Sequence, residues 1–128
     1  MGPGGESALL LADVGGNGFV SGADLTFDNA ATTSLPDSDT IETGTYTPTR
    51  GAAAVSEGCQ SPASYPEPAP AGPYETSLSA LGGTDPNGIW RLYVVDDTLS
   101  QTGSIAGGWS IDIEVSPAAS RNRVGRRA

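Results

Sequence analysis

The chain has 128 residues, enough for one domain with one core, and only 37% of them are apolar and 6% aromatic. Gly (18) and Pro (10) are the poorest helix formers, which excludes a helical bundle, while partial disorder stays open as the alternative to short strands joined by turns. Fifteen acids face six arginines, with no lysine and no histidine, and residues 1–120 carry only Arg50 and Arg91 against all fifteen, a net of −13.

A body this acidic repels phosphate, so it is not expected to bind nucleic acid. Arg121, Arg123, Arg126 and Arg127 crowd the last eight positions, and residues 117–128 read as a disordered Arg-rich tail. A lone Cys59, with no histidine beside it, offers neither an internal disulfide nor an activated thiol. No apolar run reaches the ~20 residues of a membrane span, so no membrane insertion is expected. The Met1-Gly2-Pro3-Gly4-Gly5-Glu6 start lacks the basic and apolar regions of a signal peptide. An exported form would carry its signal elsewhere, on a longer chain.

In chain order, Ser7–Ala12 is a six-residue apolar run that reads as a buried strand, with Leu10 in the core. Gly15-Gly16-Asn17-Gly18 is a turn, and its spacing fits no phosphate-binding glycine loop. In Ala23–Asp28, apolar Ala23, Leu25 and Phe27 alternate with polar partners, the period of a half-buried strand that puts Phe27 in the core. Residues 29–38 form a polar loop anchored by Leu35, and Thr40–Thr47 is a β-branched strand closed by Pro48. Residues 50–73 form a Pro-rich loop, with five prolines from Pro62 to Pro73. It is expected as extended chain over the surface, or as a Pro-rich ligand for a partner domain.

The C-terminal third is the most strongly patterned. Leu78 and Leu81 precede Gly82-Gly83, and Asp85-Pro86-Asn87-Gly88 makes a tight turn. Ile89–Val95 follows as a central strand, with Trp90, Leu92 and Val94 on one face. Ile105–Val115 is a last strand, with Trp109, Ile111, Ile113 and Val115 on one face and Ser110, Asp112 and Glu114 on the other. The expected core therefore comprises Leu10, Phe27, Trp90, Leu92, Val94, Trp109, Ile111 and Ile113. Truncating Trp90 or Trp109 to alanine is expected to cost roughly 3–5 kcal/mol.

Gly88-Ile89-Trp90-Arg91-Leu92, then Asp96, Gly103 and Trp109-Ser110-Ile111, resemble the signature of the proprotein-convertase P domain, also called the P/Homo B domain. The likeness is close from residue 78 and looser over residues 1–48, where Gly2-Pro3-Gly4-Gly5 and the Phe27-Asp28 strand end resemble bacterial versions. It implies an all-β jelly-roll β-sandwich of about eight strands over residues 1–116. It further implies a non-catalytic accessory module of a secreted or surface bacterial protein. In that family the module stabilises a neighbouring subtilisin-like serine protease. Bacterial copies also occur in large cell-surface proteins without one, which leaves adhesion or ligand binding as the alternative. Family members carry one or two strands ahead of the Gly-Pro-Gly-Gly step, so the chain is expected to be a fragment, a truncated gene product or a domain missing an edge strand, with the gap filled by an upstream segment or by a strand-complementing partner.

Catalysis by this chain is not expected. A serine triad needs a base, and there is no histidine or lysine. Asp96 and Asp97 are adjacent, so on a strand they face opposite ways and make a poor two-carboxylate site. Asp13, Asp24 and Asp28 cluster in sequence near one turn, while Asp85, Asn87, Asp96 and Asp97 lie at loop ends; Asp13, Asp24, Asp28 and Asp96 are the candidate Ca²⁺ ligands, against the plainer reading of solvated acids.

Overall fold

A computed structural model describes residues 1–52, 65–96 and 102–116. Cys59, Pro62, Asp97 and the tail 117–128 lie outside the described residues. The chain is small and all-β. Among the described residues there are four short strands, one 3₁₀ turn and no α-helix.

The strands form two parallel pairs. β1 (Leu11–Ala12) lies beside β4 (Thr49–Arg50), with Leu11 opposite Thr49, while β2 (Leu25–Phe27) lies beside β3 (Gly44–Tyr46), with Phe27 opposite Tyr46. Parallel neighbours need a long connection, and the polar stretch from Asp28 to Thr43 supplies it for β2 and β3. The alternation read in Ala23–Asp28 is realised, since Leu25 and Phe27 are half-buried and Thr26 is exposed. Asp28 ends β2 by accepting the Ala30 N–H on Oδ1 at 2.8 Å, a side-chain turn that diverts the chain from the ladder.

The core is small, with one residue just before β1 and one in the polar loop. Leu9 and Leu35 are its buried apolar residues, at 5% and 4% exposure. The Leu35 anchor is fixed through its backbone: its N–H donates to Thr49 Oγ1 at 3.0 Å, and that hydroxyl donates to Thr47 O at 2.7 Å. The Gly15-Gly16 turn docks against the same loop. Gly15 N–H donates to Pro36 O at 2.7 Å and Gly16 N–H to Asp37 O at 3.1 Å. Gly16 has φ 53°, and a Cβ there would run into the Ser38 carbonyl, so this turn requires glycine.

Several expectations need correction. Of the expected core, Leu10, Phe27, Trp90 and Leu92 are only half-buried, while Val94 (68%), Trp109 (49%), Ile111 (40%) and Ile113 (42%) are exposed. Among the described residues, Ile89–Val95 and Ile105–Val115 carry no strand ladder. Alternation fixes which side chains share a face, but a ladder also needs a neighbouring backbone, and a core needs something over the face. The Pro-rich stretch, where described, is folded back rather than laid out straight. Tyr65 and Tyr74 meet edge to face at 5.4 Å, Tyr74 Oη donates to Pro70 O at 2.6 Å, and Ala69 N–H donates to Pro66 O. Leu78–Leu81 forms the 3₁₀ turn, capped by Ser77, whose hydroxyl accepts the Ser79 N–H.

Candidate interaction face

The most ordered part of the C-terminal third is the turn that delivers Trp90. Asp85 Oδ1 accepts both the Asn87 backbone N–H (2.9 Å) and its side-chain amide (2.7 Å). These bonds, the backbone one first, hold the Asp85 carboxyl below its ordinary value by favouring the charged form. Gly88 then takes φ 140°, a conformation L-residues rarely adopt, and Trp90 Nε1–H reaches back to Pro86 O at 3.0 Å. The indole is thereby pinned across its own turn, half-buried, with its polar end satisfied.

The N-terminal residues brace this turn from outside. A Cβ on Gly88 would lie 2.6 Å from Pro3 Cβ, so the proline ring occupies the space the glycine leaves. Thr84 Oγ1 donates to Glu6 Oε1 at 2.9 Å, while Glu6 Oε2 is buried without a partner. Met1 and Arg91 exchange both backbone bonds: Met1 N donates to Arg91 O at 2.8 Å, and Arg91 N–H donates to Met1 O at 3.0 Å. A reciprocal pair of this kind is one rung of an antiparallel ladder.

Beyond that rung the two C-terminal segments flank open space. A groove of about 350 Å³ is lined by Leu81, Pro86 and Trp90 on one side and by Ile113 and Val115 on the other. A wider hollow of about 760 Å³ lies between Val94 and Val95 and the Ser104–Ile105 stretch. Trp90 thus faces residues near 113 and Val94 faces residues near 105, so the segments run antiparallel. Among the described residues no backbone hydrogen bond joins them, and none involves residues 102–116. Their apolar side chains, including Trp109, Ile111, Ile113 and Val115, are exposed to solvent over 40–67% of their surface.

The aspartates offer no comparable focus. Among the described residues no three His, Cys, Asp or Glu side chains converge as metal ligands, so Asp13, Asp24, Asp28 and Asp96 are not brought together. Asp13 sits at φ 53° beside β1, Asp24 accepts the first β3 bond from Gly44 on its carbonyl, and Asp28 is engaged in its own turn. The reading of the sequence missed the bracing of Gly88 by Pro3 and the Met1–Arg91 rung. Both join residues about ninety positions apart, and no local pattern signals them.

Set against family models, curated proteins and solved structures, the chain finds no match.

Proposed function

We propose that this chain is a non-catalytic accessory β-sandwich module of the proprotein-convertase P-domain type, acting at the cell surface or outside the cell by contact with a neighbouring polypeptide. The observation that carries the reading is the Gly88–Trp90 step. The residues that resemble the family signature are those that make a tight turn, a positive-φ glycine and a pinned tryptophan. In the full arrangement the exposed C-terminal segments are strands of a jelly roll of about eight strands, stabilising a subtilisin-like protease on the same longer chain.

A role in support of catalysis is favoured over catalysis itself by composition, since a chain with no histidine or lysine lacks the usual general bases for acyl transfer. Broad exposed apolar surface is the mark of a contact surface.

The test is the intact mass of the native protein recovered from culture supernatant and cells. The expected result is a mass well above 12.9 kDa, with peptides of a serine protease upstream. Upstream peptides of a repetitive surface protein would replace the protease role by adhesion. A native mass matching these residues alone would overturn the accessory reading.

A further inference from the structure

We infer that Asn17-Gly18 is a site of spontaneous deamidation to aspartate and isoaspartate, and that the other Asn-Gly step of the chain, Asn87-Gly88, is shielded from the same reaction by Asp85. The two steps share their residue types and both are exposed. They differ in what holds the asparagine.

The chemistry needs only water. The Gly18 backbone nitrogen, on losing its proton to solvent, attacks Asn17 Cγ. The new N–C bond closes a succinimide ring, the Cγ–Nδ2 bond breaks, and the amide nitrogen leaves as ammonia with a proton from water. Water then opens the ring at one of its two carbonyls. Opening at Cγ gives aspartate, and opening at the main-chain carbonyl gives isoaspartate, with the backbone rerouted through Cβ and Cγ. Glycine after the asparagine admits this attack, because no Cβ keeps its nitrogen from the side chain.

At Asn17 little opposes ring closure. Residues 16–22 are all exposed, and no described residue bonds the Asn17 side-chain amide. The proton on the attacking nitrogen is held only by Gly15 O, at 3.3 Å, longer than the roughly 2.7–3.2 Å of a well-formed bond.

At Asn87 the same amide is engaged. Asp85 Oδ1 accepts both the Asn87 backbone N–H and Nδ2–H, at 2.9 and 2.7 Å. Nδ2 is the leaving group and is bonded to Cγ, the atom attacked. A side chain tied back to residue 85 must break that bond before Cγ can turn to the Gly88 nitrogen. Displacing reacting atoms by about 1 Å can slow a reaction about a hundredfold.

Conversion reaches beyond Asn17. It adds a carboxylate to a chain that already carries fifteen acids, and isoaspartate lengthens the main chain by a methylene inside the turn. The Gly15 and Gly16 N–H bonds to the Pro36 and Asp37 carbonyls then lose their register, which frees the turn from the loop that carries Leu35.

The test is peptide mapping by mass on the full 128-residue chain held at mildly alkaline pH, native and in urea. In the native chain Asn17 should convert about tenfold or more faster than Asn87, and in urea the two rates should converge. Asp85→Ala should speed conversion at Asn87 about tenfold while leaving Asn17 and exchange in the β2–β3 ladder unchanged. In the converted protein, amide exchange at Gly15 and Gly16 should quicken.

An Asn17 that stays an amide would overturn the site. Equal native rates, or a difference that survives in urea, would overturn the shield, as would unchanged Asn87 conversion in Asp85→Ala. Should that variant unfold, the native and urea rates of the unaltered chain still decide. Unchanged exchange at Gly15 and Gly16 after conversion would overturn the release of the turn. None of these outcomes touches the accessory role, which the native mass tests separately.

Discussion

The Pro3 ring occupies the space opened by the missing side chain of Gly88: a Cβ on Gly88 would come within 2.6 Å of Pro3 Cβ. With φ at 140°, Gly88 is doubly committed, by its own backbone and by its neighbour. Gly88→Ala is therefore expected to destabilise the fold by about 1–3 kcal/mol. Thermal or urea unfolding measures this directly, and unchanged unfolding would mean that Pro3 does not rest on the turn.

Leu35 and Trp109 reverse the order of importance that their size suggests. Leu35 is 4% exposed and Trp109 is 49% exposed. Leu35→Ala should cost about 2–5 kcal/mol through lost burial and the cavity left behind. Trp109→Ala should cost about 1 kcal/mol or less, because half the ring already contacts water. Unfolding of the two variants side by side decides it, and a larger loss at Trp109 would restore a core built on the last segment.

Thr49 offers a narrower test. Its hydroxyl accepts the Leu35 N–H and donates to Thr47 O. Thr49→Val preserves shape but leaves the N–H of a buried residue without an acceptor, at a cost of about 1–3 kcal/mol. Thr49→Ser keeps the oxygen and should recover most of that loss. Equal stability of the valine and wild-type proteins would remove the hydroxyl from the account of how Leu35 is held.

The Asp85 turn gives a pH dependence. Its carboxyl titrates below the ordinary value because the two Asn87 donors favour the anion. A depressed folded pKa contributes stability above the unfolded value, near 4, and that stability disappears as pH falls through the folded pKa. The wild-type protein should thus exceed Asp85→Ala in melting temperature at neutral pH, and the two should converge in strong acid. The effect is small, because Asp85 is fully solvent-exposed. Parallel curves across the whole range would show that the carboxylate does not hold the turn.

Local physics made part of this molecule legible. The excess of Gly and Pro pointed to an all-β chain of turns, and period-two alternation placed Leu25 and Phe27 together on the inner side of β2. Leu35 before Pro36 stood out as an anchor and is buried. Asp85-Pro86-Asn87-Gly88 announced a tight turn, and Gly88 takes φ 140° in it. These are properties of neighbours in sequence, so neighbours suffice to read them. The aspartates were legible only as residue types, and no three acidic side chains converge among the described residues.

What the tertiary structure alone decided is which backbone and which surface each segment meets. Ile89–Val95 and Ile105–Val115 have the strongest strand patterns in the chain, yet the first finds a single rung at Met1 and the second finds none among the described residues. Weaker patterns at Leu11–Ala12 and Thr49–Arg50 are paired, because the chain brings them side by side. Alternation is written in the order of side chains. A ladder and a core depend on partners from elsewhere in space, and here the apolar face of Trp109, Ile111 and Ile113 is specified by sequence and left uncovered by the fold.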